Sequence, residues 1–355
     1  MSPARSEPFE VAVIPGDGIG AEVVASAVEV VDAALGAGRC RWRRLPWGSD
    51  YWLAHGVMMP ADGLAELAAA DAILLGAVGD PRVPDHVTLH GLLLPIRRRF
   101  DQFLCVRPVV LHPGVESPLR RLGPGSVDLV VYRENTEGEY ADVGGRVHRG
   151  TDAEVAVQGN VFTRRGTARI IRAAFVAARG RRGKLTSITK SNAQAHGMVL
   201  WDEVFRETAA QYPDVTTESL LVDAAAMDLV RRPDQFDVIV ASNLFGDILS
   251  DLAAAVVGGL GLAPSANLDP SRTGPSMFEP VHGSAPDIAG LGVANPIATV
   301  LAAAMMLDHL EQLAAARVIR QAVDRVLETG KVRTPDLGGT ASTAEVTRAL
   351  IAAFH

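Results

Sequence analysis

Val238-Ile239-Val240-Ala241-Ser242-Asn243-Leu244-Phe245-Gly246-Asp247-Ile248-Leu249-Ser250-Asp251-Leu252-Ala253-Ala254-Ala255 reads in three pieces. The β-branched apolar run from Val238 predicts a buried strand, Ser242 to Gly246 a link, and the Ala- and Leu-rich remainder a helix. Asp247 and Asp251 then stand four residues apart on one helical face, in first turns where the positive end of the helix dipole tolerates negative charge. Two carboxylates converging at a strand-to-helix junction make a hard-oxygen site suited to Mg²⁺ or Mn²⁺. Taken alone, D-x-x-x-D reads more often as an acidic turn that simply favours the helix. The metal reading therefore rests on how many parts for the same site the remainder of the chain supplies.

A buried strand running into a chemically equipped turn recurs along the chain. Val11-Ala12-Val13-Ile14 leads into Pro15-Gly16-Asp17-Gly18-Ile19-Gly20 and a helix carrying Val23, Val24, Ala27, Val28, Val30 and Val31. This is an α/β opening, but G-D-G-I-G is not the G-x-G-x-x-G dinucleotide fingerprint, and glycines that allow tight turning near a ligand are the plainer reading. Residues 72 to 79 repeat the strand-into-glycine pattern. Arg97 and Arg107 are embedded in apolar sequence, where a charge is costly unless an anion compensates it; structural ion pairing is the alternative for each. Leu129-Val130-Val131-Tyr132, a short strand within residues 184 to 192 and Leu220-Leu221-Val222 place Arg133, Lys190 and Asp223 just beyond strands, as the run from Val238 places Asp247. Strand ends facing one cleft would gather these groups. The glycine- and proline-rich segment from Gly258 to Gly290 is expected as a long functional loop, followed by a helix from Pro296, an amphipathic helix over 312 to 329 and a last helix after Gly338-Gly339-Thr340.

With 355 residues and 48% hydrophobic positions, the chain can bury two cores or one large one. A net charge of −7 excludes the basic face that nucleic acid requires, and no apolar run is long enough to span a bilayer. Cys40 and Cys105 are too few for a disulfide framework, which fits a reducing cytoplasm. The expectation is a cytoplasmic protein with no nucleic-acid or membrane partner.

On these residues and motifs the chain resembles the β-decarboxylating dehydrogenases: isocitrate, 3-isopropylmalate, homoisocitrate and tartrate/D-malate dehydrogenases. The resemblance runs from IPGDGIG through RRRFDQFLCVRP, RENTEGEY, TKSN, VDAAAMDLV, SNLFGDILSD and EPVHGSAPDIAG to ANPIATVLAAAMML. It is nearest to the tartrate/D-malate group, on VPDH, GEYADVGGRV, VFTRRG and SANLDPSRTGPSMFEP.

The resemblance implies a two-domain α/β fold with a large mixed sheet flanked by helices, distinct from a Rossmann fold. Residues 1–102 and 256–355 would form a large NAD-binding domain, and residues 103–255 a small domain with the dimer interface. Arg97, Arg107 and Arg133 would clamp the carboxylates of a 2-hydroxy diacid, with His90, Leu93 and Leu94 facing its C3 substituent. Asp247 and Asp251 would bind Mg²⁺ or Mn²⁺ together with Asp223 of the partner subunit, with K⁺ as a further ion. Tyr140 and the partner subunit's Lys190 would handle protons. Ile14, His282, Gly283, Ser284, Ala285, Pro286, Asp287 and Asn295 would hold NAD, Asp287 selecting against the 2′-phosphate of NADP. Two active sites shared across a homodimer follow. One departure concerns the substrate: His90 stands where the tartrate/D-malate group has Trp, and Leu92-Leu93-Leu94-Pro95-Ile96 looks more like the isopropylmalate pattern, so a branched malate is the alternative substrate.

Overall fold

The computed structural model describes residues 7–354. Its strands are β1 (Phe9–Gly16), β2 (Cys40–Arg44), β3 (Ala72–Ala77), β4 (Leu104–Val110), β5 (Asp128–Glu134), β6 (Gly138–Val147), β7 (Val155–Val161), β8 (Lys184–Thr189), β9 (Thr216–Leu221), β10 (Val238–Ala241), β11 (Pro264–Leu268) and β12 (Ser276–Pro280). The helices are α1 (Gly20–Leu35), α2 (Ser49–His55), α3 (Gly63–Leu67), α4 (Asp85–Thr88), α5 (Leu94–Arg99), α6 (Arg164–Arg179), α7 (Gly197–Ala209), α8 (Val222–Arg231), α9 (Asn243–Val256), α10 (Ile297–His309), α11 (Leu313–Thr329) and α12 (Thr343–Ala352). Ten strands share one mixed sheet in the order β2-β1-β3-β12-β11-β4-β5-β10-β8-β9, while β6 and β7 form a separate antiparallel hairpin. None of the helices among the described residues is long and apolar enough to cross a membrane.

The chain divides into two compact units. The first takes residues up to Gln102, Pro108–Val127 and everything from Ala254. In it β1 runs parallel to β2 and β3, and β3 parallel to β12, with β11 antiparallel at the far side. Both faces of β1 and β3 are mostly apolar, as strands covered on both sides require. Ala12, Ile14, Ile73, Leu75 and Met277 point into one cluster with Trp47, Leu92, Ile96 and Phe100. On the opposite face Phe278 meets His309 of α10, which packs with α1 and α11.

Residues 108–127 belong to this first unit and not, as expected, to the central segment. Local bonds account for the difference: Leu111 donates to the Val127 carbonyl, Ser117 to the Val256 carbonyl, His112 pairs with Asp324, and Arg333 reaches the Gly114 carbonyl. The expected long loop from Gly258 to Gly290 also differs, because it contains two buried strands of the sheet, β11 and β12. Both end at prolines, Pro264 opposite Pro280, and they bury Ser265, Asn267 and Glu279, so neither shows a clean apolar pattern.

The second unit comprises Phe103–Arg107 and Asp128–Ala253. Its strands β5, β10, β8 and β9 are all parallel, with α6 packed on β5, β10 and β8, and α8 on β8 and β9. Parallel strands bring their C-terminal ends to one edge, which is the usual ligand edge of such sheets. The expected link over 242–246 is absent: Asn243 already begins α9, directly after β10.

Candidate active site

Within the second unit, two strands and a helix deliver charge to one place. Arg107 comes from β4, Arg133 from β5, and Asp247 and Asp251 from α9. The Arg107 Nη1 donates to Asp247 Oδ1 at 3.1 Å, to Ser250 Oγ at 2.7 Å and to Asp251 Oδ1 at 3.3 Å. The Arg133 Nη1 donates to the same Asp247 Oδ1, and the Tyr140 hydroxyl donates to Asp247 Oδ2 at 2.9 Å. Tyr140 also lies under the Arg133 guanidinium, 5.4 Å from its ring centre. Both arginines are buried, at 6% and 2% exposure, whereas Asp251 remains half exposed.

The carboxylates do share a helix face, as their spacing predicted. However, neither lies in the first turn of α9, so the helix dipole cannot be what tolerates them. Two buried guanidiniums do so instead. Burial raises the Asp251 carboxyl above its usual range, Arg107 opposes the rise and the neighbouring Asp247 reinforces it. A pair of carboxylate oxygen donors with one solvent-facing member fits a hard divalent cation.

Glu139, next to Tyr140, accepts from Ser242 Oγ at 2.9 Å and from the Leu244 amide at 3.1 Å. It thereby caps the start of α9 from a distance and fixes the strand that carries Tyr140. Glu134 is buried and accepts from the Thr136 and Glu137 amides and the Thr136 hydroxyl. Burial pushes its carboxyl up to about 7, against those donors. Sequence reasoning singled out neither glutamate; each works through backbone amides, which leave no residue pattern.

Lys190 and Asp223 form a second cluster. Lys190 follows β8 and Asp223 lies in the first turn of α8, just after the neighbouring strand β9, and the Lys190 Nζ donates to Asp223 Oδ1 at 2.5 Å. That bond holds the Asp223 carboxyl below its usual range. Among the described residues no group of three His, Cys, Asp or Glu side chains lies close enough to hold a metal ion. One chain thus brings Asp247 and Asp251 together and keeps Asp223 with Lys190.

The first unit carries the remaining expected residues. The Arg97 Nη2 donates to Glu279 Oε1 at 2.9 Å, both side chains being buried, and Asn267 donates to the same oxygen at 2.8 Å. Residues 89–93 wind as a π-helical turn between α4 and α5, a form found often at functional sites. There His90 is exposed and Leu93 half-buried, but Leu94 is 2% exposed and belongs to the core.

Ile14 likewise has no exposed surface and packs with Leu75 and Met277, so it offers nothing to a cofactor. The loop from His282 to Asp287 is different, with Gly283, Pro286 and Asp287 exposed and Ser284 buried. The Ser284 carbonyl accepts from the Ile19 amide at 2.8 Å, and a Cβ on Gly18 would come within 2.0 Å of that oxygen. The glycines of G-D-G-I-G therefore permit backbone to cross backbone, supporting the 282–287 loop. Ala285 takes a positive φ of 41° in this loop.

His282 meets the Gly283 carbonyl through Nδ1 at 2.9 Å, and its buried Nε2 has no hydrogen-bond partner. Burial lowers its pKa. Asn295 donates to Asp336 Oδ2 at 2.9 Å and accepts from the Ile297 amide, so both its polar atoms are committed to the protein. Asp336, missed in the sequence, stands in an ordinary Pro-Asp turn that carries no motif.

The isocitrate/isopropylmalate dehydrogenase model matches residues 10–350. The chain belongs to that family. It is 54% identical over 346 residues to a probable tartrate dehydrogenase/decarboxylase of Agrobacterium vitis, covering 96% of each chain. It is 50% identical over 356 aligned positions to the D-malate dehydrogenase [decarboxylating] of Escherichia coli strain K12, covering 96% of this chain and 97% of that one. The isocitrate dehydrogenase of Methylococcus capsulatus superimposes with a TM-score of 0.88 at 37% identity, over 98% and 99% of the two chains. The fold is thus that of the family, and its curated relatives are decarboxylating dehydrogenases.

Proposed function

We propose that the protein is an NAD- and divalent-metal-dependent enzyme that oxidatively decarboxylates a 2-hydroxy diacid of the D-malate or tartrate type. The observation that carries this reading is the convergence of Arg107, Arg133 and Tyr140 on Asp247, with Asp251 beside it. Two buried guanidiniums are suited to hold carboxylates, and the acidic pair is suited to hold Mg²⁺ or Mn²⁺. Oxidation at C2 of a diacid with a carboxylate on C3 gives a β-keto acid; the cation supplies the positive charge toward which electrons move on CO₂ loss, and NAD accepts the hydride. Tyr140 holds a hydroxyl proton beside the acidic pair, as a donor to C3 of the resulting enolate requires, and the partner subunit's Lys190 would restore it.

For NAD itself, the exposed loop Gly283–Asp287 and the unpartnered His282 Nε2 support the assignment. With Nδ1 donating to the Gly283 carbonyl, Nε2 is the acceptor nitrogen, of the kind an adenine amino group takes. Asp287 suits the ribose hydroxyls and repels a 2′-phosphate. The homodimer with shared sites is supported by the hairpin β6/β7. There Val143, Val147, Val155 and Val157 fall on one face, each half or more exposed, while Met227 and Val230 of α8 and Ile248 of α9 are also exposed. A second copy of the chain would cover such a surface and bring Lys190 and Asp223 to its partner's acidic pair. A branched malate such as 3-isopropylmalate is the second reading, favoured by half-buried Leu93 against the apolar cluster at Leu92.

The test is NADH production with Mn²⁺ and a panel of 2-hydroxy diacids. Turnover of D-malate to pyruvate and CO₂, stronger with NAD than NADP, is expected. A kcat/KM for 3-isopropylmalate tenfold above that for D-malate, about 1.4 kcal/mol, would reverse the two readings. Equal efficiency with NADP would remove Asp287 as the selector.

A further inference from the structure

We propose that Asn243 is a positioning residue for Arg133, an uncharged clamp that aims the guanidinium at the diacid without spending its charge. The inference rests on the diacid reading above and adds to it a residue for which neither motif spacing nor charge gave a reason. Asn243 is 1% exposed and opens α9. Its Oδ1 accepts two bonds from one edge of the guanidinium, from Arg133 Nε at 3.0 Å and from Nη2 at 2.7 Å. Its Nδ2 donates to the Glu137 carbonyl at 3.1 Å, on the turn that leads to Tyr140. Three hydrogen bonds are therefore made by one amide: two hold the arginine, and one ties it to the segment bearing the tyrosine.

The neighbouring glycine completes the arrangement. A Cβ on Gly246 would stand 2.7 Å from Arg133 Cβ and 2.8 Å from its Cγ, so the arginine stem lies directly on the bare backbone of α9. The stem is thus fixed by Gly246 and the Nε edge by Asn243, leaving the Nη1 end to point at Asp247. A carboxylate at position 243 could accept the same two bonds from the arginine, though it would lose the donation to the Glu137 carbonyl. However, it would pair with the cation and weaken its attraction for a substrate anion, which a neutral carbonyl does not do. Alanine would instead leave a buried Nε–H with no acceptor and let the guanidinium turn.

Asn243→Ala is expected to raise the KM for D-malate about tenfold while kcat stays within about threefold, because the interaction aids binding of the carboxylate more than the chemical step. The same change made on an Arg133→Lys background, where no Nε–H remains to be held, should alter KM by less than about twofold. An equal penalty in both backgrounds would overturn the proposal, since a merely structural role adds to either. A second readout needs no substrate: the Arg133 Nε–H resonance in ¹⁵N-arginine-labelled protein, assigned by its loss in Arg133→Lys. It should exchange slowly in the parent, be shifted and fast-exchanging in Asn243→Ala, and remain protected in Asn243→Asp. An unchanged resonance in Asn243→Ala also overturns the proposal. If the parent turns over none of the diacids, the functional reading fails and this resonance alone decides the positioning role. If Asn243→Ala does not fold, Asn243→Asp decides it: a raised KM with the resonance protected supports the clamp, and an unchanged KM removes it.

Discussion

Asp247 accepts from Arg107, Arg133 and Tyr140, whereas among these three Asp251 meets only Arg107 and faces water. The two carboxylates should therefore fail differently. Asp251→Asn removes one charge from the proposed metal pair, so Mn²⁺ affinity should fall about tenfold or more, with activity partly recovered at high metal. Asp247→Asn also disturbs the arginines and the tyrosine, and activity should stay low at any metal concentration. Calorimetric Mn²⁺ titration beside steady-state rates distinguishes the two; undiminished activity of either variant at ordinary metal concentration removes it as a ligand. The shared face of these residues was legible because helix spacing is local. Their neutralisation was not, since Arg107 lies 140 residues from Asp247 and Arg133 lies 114 away. Which cation reaches which carboxylate depends on strand order, and no local pattern encodes that. For Arg97 the alternative reading, a structural ion pair, is what the chain forms, with Glu279 182 residues on.

Element by element, the apolar strands β1, β3, β5 and β10 and the helices α10 to α12 could be read directly, because burial on both faces leaves an unbroken hydrophobic run. The strands β11 and β12 could not, since prolines bound them and polar side chains are buried within them. The start of α9 was placed several residues late, as the cap on its first turn comes from Glu139, more than a hundred residues earlier. The turn between β5 and β6 depends similarly on Glu134, whose folded-state carboxyl is raised by burial from 4.5 to about 7. The stability it contributes is present in full below pH 4.5 and is lost as pH rises through about 7. Over that window the loss is on the order of 3 kcal/mol. Glu134→Gln carries no titrating proton, so its denaturation midpoint should fall less than that of the parent between these two pH values. Parallel midpoints in urea melts across the window would show that Glu134 does not titrate there.

At the scale of the whole molecule, the proposed sharing of sites between two copies has a sharp consequence. Lys190→Ala and Asp247→Asn should each be inactive alone. Unfolded together and refolded as a mixture, they should recover about a quarter of parental activity, because half the dimers are mixed and each mixed dimer rebuilds one intact site out of two. No recovery, with mixed dimers demonstrated by mass, would place Lys190 and Asp247 in the same protomer's site. The first unit has another property that follows from its strand pairing. β3 lies between β1 and β12, and Ala72 pairs with Ser276, so its central strand awaits a neighbour made about 200 residues later. At ribosomal speeds of roughly 5–20 residues per second, that is roughly 10–40 s during which one edge of β3 is open. The second unit's strands β5, β8, β9 and β10 are all complete by Ala241. On the ribosome the middle of the polypeptide can therefore close its sheet first, and the amino-terminal strands must wait for the carboxy-terminal third to emerge.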